Sequence, residues 1–337
     1  LLSRRQRQMC IRDRDMIDSA GRKIDYLRIS VTDRCNLRCR YCMPPEGVKN
    51  LGHEAILTYS EIVRIVKIMA DLGIRKVKIT GGEPLVRLGI EELIEELNSI
   101  KAIEQVTLTT NGILLSQKIF ALYKAGIRNI NISLDTLDRK KYEELTGYDA
   151  LEDVKASIDA CLDFQDINLK LNCLALADNT RDDFARMASL AADKPIDVRF
   201  IEVMPIGMGK SEKGVDADDI LHILEDKFGK SQKVIGKRGN GPAQYFSFEG
   251  FDGKIGFISP MSHKFCSGCN RARLTADGFF KPCLAYDTGV DLKSLMRLGV
   301  RDQELAEHIL KAVNQKNIGH SFGTETAGGR SMWQIGG

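Results

Sequence analysis

The chain has 337 residues, 43% of them hydrophobic, and a formal net charge of only +3. This length allows one large or two ordinary domains with a sizeable core, and the near balance of charge gives no global argument for nucleic-acid binding, so an anionic ligand would be held by local Arg and Lys. No apolar stretch approaches the ~18 residues of a membrane span and no signal peptide with an apolar core precedes the first strand, which points to a soluble cytoplasmic protein without a membrane partner.

Residues 1–15, LLSRRQRQMCIRDRD, are basic and without clear periodicity. Asp13, Asp15 and the missing amphipathic face argue against a transit peptide, so this leader is expected to be disordered or foreign to the domain, with Met16 the natural start. From Tyr26 onward, short β-rich runs alternate with helical patterns. Strands are expected at 27–31, 76–80, 105–109, 129–134, 169–174 and 198–201. Helices are expected at 58–72, opened by the capping box Thr58-x-x-Glu61, and at 90–98, 116–125, 151–164 and 180–191. Repeated βα implies a parallel sheet with helices outside.

Behind successive strands come DRCNLRCRYCMPP (33–45), TGGEP (80–84), TTNG (109–112), SLD (133–135) and RFIEVMPIG (199–207). A barrel, complete or partial, would gather these segments around one mouth, because the carboxyl ends of its strands share one face. A doubly wound open sheet is the alternative. Past Gly207 the rhythm changes. Gly-rich turns and short alternating strands over 236–259 suggest an antiparallel extension packed on the barrel, followed by further cysteines, a helix at 302–314 and a Gly-rich tail. The expected organisation is a leader (1–15), a barrel (16–207) and an extension (208–337).

Nine cysteines is an odd number, and six fall in two tight groups, which in a reducing compartment favours metal over disulfides. Cys10 stands apart. Cys161, in a helical pattern, and Cys173, in a strand-like one, are expected to be small packed hydrophobes. Cys35, Cys39 and Cys42 form C-x3-C-x2-C. A structural zinc site wants four closed ligands and a disulfide framework wants pairs, so three thiolates point to a metal centre with one position open. An iron–sulfur site, or zinc with a distant fourth ligand, would satisfy the spacing. The second group, Cys266-x2-Cys269-x13-Cys283 with His263 three residues ahead, reads as a Cys3His zinc ribbon or as a second iron–sulfur cluster. Gly81 and Gly82 would let backbone approach a ligand, with carbonyls able to accept from an ammonium, although a tight turn also explains the pair.

With Tyr41 before its last cysteine, the first group resembles the signature of the radical S-adenosylmethionine (SAM) enzymes. The resemblance implies a 4Fe–4S cluster in which Cys35, Cys39 and Cys42 carry three irons and the fourth chelates the amino and carboxylate groups of SAM. FCSGCNRARLTADGFFKPCL (265–284) extends the match to the GTP 3′,8-cyclase family, lyases that open molybdenum cofactor biosynthesis. It runs from about Gly21 to the terminus through LRISVTDRCNLRCRYCMP, ITGGEPL, LTTNG, NISLD, RFIEVMPIG and the final IGG.

That resemblance implies an α/β radical SAM partial barrel of the TIM type, with a C-terminal antiparallel extension whose Cys266, Cys269 and Cys283 hold a second 4Fe–4S cluster facing the guanine of GTP. It places SAM contacts at Tyr41, Gly82, Ser133 and Met204. GTP contacts fall at Arg28, Lys78, Thr109, Lys170, Arg199, Arg271, Ala272 and Arg273. Relatives often carry Arg where Lys78 stands, so the two-pronged hydrogen bonding of a guanidinium is lost there. Gly336 and Gly337 are expected to enter the barrel rather than fray as most chain ends do.

The implied reaction takes the 3′ hydrogen of GTP by a 5′-deoxyadenosyl radical, joins C3′ to C8, and completes the cyclic product with one electron and a proton; no residue is implied as acid or base. Implied partners are a one-electron donor such as flavodoxin or ferredoxin and the downstream cyclic pyranopterin monophosphate synthase, and a homodimer is compatible. Alternatives are a radical SAM peptide maturase with an auxiliary cluster and, from another class, a zinc-stapled binding protein without catalysis.

Overall fold

A computed structural model describes residues 15–48, 51–236, 238–320, 322 and 329–336. Residues 1–14, with Cys10, and Gly337 lie outside this set. Six strands, β1 (Tyr26–Ser30), β2 (Lys76–Thr80), β3 (Gln105–Thr110), β4 (Asn129–Ser133), β5 (Asn168–Leu174) and β6 (Asp197–Ile201), lie side by side in chain order and all run parallel. Consecutive order without reversal is barrel winding, whereas the doubly wound alternative needs a point where the order turns back. Residues alternate across each strand. Leu27, Ile29, Val77, Ile79, Ile130, Ile132, Leu169 and Leu171 are buried in the shared core, while Arg28, Lys78, Thr109, Ser133 and Arg199 face an interior cavity.

The helices cover the outside: α1 (Tyr59–Asp71), α2 (Ile90–Ser99), α3 (Leu115–Lys124), α4 (Arg139–Thr146), α5 (Leu151–Leu162) and α6 (Arg181–Ser189). The box predicted for α1 is present, with Glu61 N donating to Thr58 Oγ1 (3.2 Å) and Thr58 N to Glu61 Oε2 (2.7 Å). Its buried Ile62, Ile65, Val66 and Met69 repeat at three- and four-residue steps, so one stripe faces the sheet. Helix α4 is outside the sequence expectation because RKKYEELT buries only Tyr142, Leu145 and Thr146, too few apolar positions for a visible period. It forms through local caps instead: Asp138 Oδ1 accepts from Lys141 N (2.8 Å) and Gly147, at φ +77°, ends it.

The C-terminal part adds α7 (Ala217–Phe228), also unforeseen, β7 (Gln232–Lys233), β8 (Gln244–Ser247), β9 (Ile255–Ile258), β10 (Arg271–Leu274), β11 (Phe279–Lys281), β12 (Val290–Asp291), α8 (Leu292–Arg297), α9 (Asp302–Asn314) and α10 (Met332–Ile335). Helix α9 has the bounds expected. The antiparallel expectation holds for the outer ladders only. Strand β9 pairs parallel with β6 and β10 parallel with β1, so the extension prolongs the barrel wall at both edges. The pairs β7–β8, β8–β9, β10–β11 and β11–β12 are antiparallel, giving one sheet of twelve strands. Among the described residues, no helix is long and apolar enough to cross a membrane.

Candidate active site

The barrel encloses a cavity of ≈390 Å³ into which all six clustered cysteines open. The two sets approach from opposite ends. Cys35 follows the carboxyl end of β1, whereas Cys266 and Cys269 precede the amino end of β10, which runs parallel with β1. Cys283 follows β11, which runs back antiparallel to β10 and so returns to that same lower end. A molecule between them is flanked by three thiols above and three below.

At the upper end a tight turn shapes the first set. Cys42 N and Met43 N both donate to Cys39 O (2.9 and 3.0 Å), and Leu37 N donates to Cys35 Sγ (3.4 Å). The TGGEP loop rests on this turn, with Gly82 N donating to Thr32 O (2.7 Å) and Glu83 N to Arg34 O (2.8 Å). A Cβ on Gly82 would sit 2.7 Å from Arg34 C and 2.9 Å from Asp33 O. Gly82 therefore serves a loop–loop contact as well as the cavity it lines. Burial pushes the Cys35 thiol up to about 11 and Cys42 up to about 12. Burial, then the neighbouring Cys42 and Asp135, holds Cys39 well above its ordinary value. Three thiolates crowded here need a cationic centre to share.

None of the eight described cysteines is in a disulfide, and three thiols on one cavity wall are the donor set of a cluster with one position open. His263, the fourth ligand of a zinc ribbon, is exposed, bonded to Ser262 (3.0 Å) and away from the cavity lining. Among the described residues, no three His, Cys, Asp or Glu converge to hold a single metal ion. His263 therefore supplies no fourth ligand to the second set. Cys161 and Cys173 are buried in the core, as expected of packed hydrophobes.

Two carboxylates at this end were not among the sequence candidates. Tyr41 donates its hydroxyl to Asp135 Oδ2 (2.5 Å), and Leu174 N donates to Asp135 Oδ1 (2.8 Å). Glu83 accepts from Thr110 Oγ1 (2.7 Å), Asn111 N (2.7 Å) and Leu85 N (3.0 Å), joining the second and third strand-end loops. Burial outweighs these bonds and lifts its carboxyl to about 7. An acid directly behind a strand was the available signal in both cases, but such acids usually cap helices.

At the lower end the electrostatics reverse. Burial raises the Cys269 thiol, but Arg271 and Lys316 more than offset this and bring it down to about 7. Lys316 is buried; its ammonium donates to Arg271 O (2.6 Å) and to Pro282 O, bridging the two arms that carry Cys269 and Cys283. Arg22, paired with buried Asp18, donates to Cys266 O (2.8 Å) and Asn317 O (2.8 Å), tying the amino-terminal turn to the same place. Neither residue belongs to a recognisable sequence pattern.

Between the ends, Arg28, Lys78, Arg199, Arg271 and Arg273 all line the cavity. Burial, then Arg28, Arg199 and Arg271, holds the Lys78 ammonium well below its ordinary value; burial, then Arg28 and Arg271, does the same to Arg273. Burial is also the main cause of the lowering of Arg28 to about 10. Lys78, Arg199, Arg271 and Arg273 enter no ion pair among the described residues. Arg199 Nη2 donates to Asn131 Oδ1 (2.5 Å), while its Nε is buried without a partner. Crowded cations without counter-charges are an anion site.

Of the remaining candidates, Tyr41, Gly82, Thr109, Ser133 and Met204 line the cavity. Lys170 does not; its Nζ donates to Asp197 Oδ2 (2.8 Å) and Tyr245 OH (3.2 Å). Ala272, between two cavity-lining arginines, is buried in the hydrophobic core and is not part of the cavity lining. Gly336 is buried at φ +82°, and its carbonyl accepts from Arg273 Nη1 (2.7 Å). A Cβ there would press on Thr80 Oγ1 and lie 3.0 Å from Ser30 Cβ, so Gly336 packs against the carboxyl ends of β1 and β2. Gly337 lies outside the described residues.

A family model described as the Radical SAM superfamily matches residues 29–191, and one described as Molybdenum Cofactor Synthesis C matches residues 196–322. The chain is 47% identical over 328 residues to the GTP 3′,8-cyclase of Clostridium perfringens strain 13, covering 96% of this chain and 100% of that one. It is 45% identical over 325 residues to the GTP 3′,8-cyclase of Desulforamulus reducens, with the same coverage. Among solved structures, Streptococcus suis SuiB bound to S-adenosylmethionine aligns over 86% of this chain and 67% of that chain, at TM-score 0.60 and 18% identity, a likeness of fold. With two cysteine sets at the two ends of one cationic cavity and relatives of this identity over nearly its whole length, the chain belongs to the GTP 3′,8-cyclase family of the radical SAM superfamily.

Proposed function

We propose that this chain converts GTP to (8S)-3′,8-cyclo-7,8-dihydroguanosine 5′-triphosphate, the opening step of molybdenum cofactor biosynthesis. The observation that carries the reading is the pair of three-cysteine sets opening from opposite ends into one ≈390 Å³ cavity that is lined between them by Arg28, Lys78, Arg199, Arg271 and Arg273. Cys35, Cys39 and Cys42 would hold one 4Fe–4S cluster, and Cys266, Cys269 and Cys283 the other. When bound, the upper cluster and SAM supply the 5′-deoxyadenosyl radical that takes the 3′ hydrogen of GTP.

The chain's own residues position, charge and dry the site. Tyr41, Gly82, Ser133 and Met204 form the SAM end. Asp135 fixes Tyr41 through its hydroxyl, and Glu83 ties the strand-end loops so that the cysteine turn keeps its place. Arg28, Lys78, Thr109, Arg199, Arg271 and Arg273 take the nucleotide, the guanidinium groups offering paired donors to phosphate and Lys78 a point charge. Met332 and Trp333 of α10 line the cavity beside the first cysteine set, and the Gly336 carbonyl accepts from Arg273. The second set faces the guanine from below. A flavodoxin or ferredoxin as electron donor and cyclic pyranopterin monophosphate synthase downstream complete the reading.

Anaerobic purification with iron, sulfide and zinc analysis tests it, followed by incubation with SAM, GTP and a strong reductant. About eight irons, no zinc, and 5′-deoxyadenosine formed with the cyclic nucleotide are expected. Zinc at the second set, or SAM cleavage that leaves GTP unconverted, overturns it.

A further inference from the structure

The eight strands from β10 through β1–β6 to β9 share one sheet, but β9 and β10 do not pair with each other. The chain crosses from one edge to the other through residues 259–270, which include Cys266 and Cys269. His320 packs on this crossing. Its Nε2 lies 2.7 Å from Pro260 O, and its ring lies against that of Phe322, with centroids 4.4 Å apart. Pro260, His320 and Phe322 all line the cavity, and no other histidine among the described residues does.

The partner fixes the tautomer. A carbonyl oxygen only accepts, so Nε2 carries the proton and donates to Pro260, which leaves Nδ1 of the neutral ring as a lone pair. That Nδ1 is buried and has no partner among the described residues. A buried acceptor left unpaired is unfavourable, and a ligand that donates to it removes the deficit. The segment carrying His320 comes from the level of the second cysteine set, because Arg22 Nη1 donates both to Ile318 O (3.0 Å) and to Cys266 O (2.8 Å). The charged side chains lining this end, Arg271 and Lys316, have only donors. With Cys266, Cys269 and Cys283 given to a cluster, His320 Nδ1 is the side-chain acceptor at this level. Guanine complements that arrangement: O6 and N7 accept from cations or meet a metal, whereas the 2-amino group carries two hydrogens and needs an acceptor.

We infer that His320 is a specificity-determining residue whose Nδ1 accepts a hydrogen from the 2-amino group of the bound guanine, selecting a 2-aminopurine nucleotide over one with hydrogen at that position. The inference rests on the reading of the cavity as a GTP site. A site built to hydrogen-bond a polar group discriminates against the analogue that lacks it, because its own buried atom is then left unpaired. A purely structural His320, holding the crossing through Pro260, makes a different prediction: its loss weakens every purine nucleotide alike.

The test is equilibrium binding of GTP and of inosine triphosphate, which lacks only the 2-amino group, to the anaerobically reconstituted protein, with iron content followed on the same samples. Wild type is expected to bind GTP about tenfold more tightly than the inosine nucleotide, the scale of one buried hydrogen bond. His320→Phe keeps an aromatic ring against Phe322 and removes the acceptor. It is expected to bind GTP about as weakly as the inosine nucleotide, whose affinity stays at the wild-type value. His320→Leu removes the acceptor without a ring and is read in the same way should His320→Phe lose iron. Equal affinity of wild type for the two nucleotides, a preference that survives in the variants, an equal loss of both nucleotides, or loss of iron by both variants overturns the inference. Wild-type protein that binds neither nucleotide overturns the proposed function instead.

Discussion

Gly82→Ala probes the join between the cysteine turn and its neighbour. The added methyl lands 2.7 Å from Arg34 C and 2.9 Å from Asp33 O, and closer still to Arg34 O. Ordinary carbon contacts begin near 3.5 Å, so the turn must retreat by about 1 Å. It cannot do so alone, because Thr32 O and Arg34 O accept from Gly82 N and Glu83 N, and Arg34 is followed directly by Cys35. Overpacking of this kind costs about 1–3 kcal/mol, which a core running through every strand of the barrel survives. The chemistry is less tolerant, since a shift of about 1 Å at a reacting centre can cost on the order of a hundredfold in rate. The Gly82→Ala chain is therefore expected to fold and keep its lower cluster, while 5′-deoxyadenosine formation falls by about a hundredfold. Iron per chain and 5′-deoxyadenosine yield, measured anaerobically on one preparation, check this. About eight irons with a wild-type cleavage rate would refute the reasoning, because the turn would then accept the methyl without moving its cysteines.

Cys283→Ala should keep the upper cluster and some SAM cleavage under strong reductant yet lose GTP affinity and cyclisation, because the strand pair carrying Arg271 and Arg273 is no longer pinned at both ends; full GTP binding would make the lower set a structural staple. Arg273→Ala should retain both clusters and weaken GTP by about 1.5–3 kcal/mol, measured by titration, and an unchanged affinity would remove Arg273 from the nucleotide site. A chain ending at Ile335 loses the carbonyl that Arg273 holds, and cyclisation is expected to fall about tenfold or more while the iron content stays; a wild-type rate refutes a role for the tail. Glu83 has a folded-state pKa raised by burial to about 7 against the ordinary 4.5, so the folded chain binds a proton there that the unfolded chain releases. Its contribution is full below about pH 4.5 and drains by about 3 kcal/mol as pH rises through 7. Glu83→Gln removes that slope, although its amide faces Asn111 N–H and costs a hydrogen bond. Urea midpoints between pH 5 and 8 without SAM report it, and an identical slope in both chains refutes the assignment.

Much of the barrel was legible because its information is local. Each of the six inner strands carries an apolar residue at every second position, each long helix shows a stripe, and the boundaries of β2 and α9 fall where expected. The cysteine spacings are equally local, since ligands three or four residues apart belong to one turn wherever the fold puts them. Helix α4 escaped because its stability comes from caps rather than an apolar stripe.

By itself the sequence determined the six inner strands, the five helices that link them, the two thiolate triads and, through motif resemblance, the family. Tertiary structure alone decided that β10, from near the chain's end, lies beside β1 and brings the second triad beneath the first. It also decided that Gly82 is forced by a crossing loop, that Lys170 rests on Asp197 rather than in the cavity, and that Lys316 and Arg22 hold the lower cysteines in place. The physical reason is the same in each case. A strand's alternation records which residues face inward but not which strand will lie beside it, and the partner of a buried charge is set by that adjacency, across separations that no local period can encode.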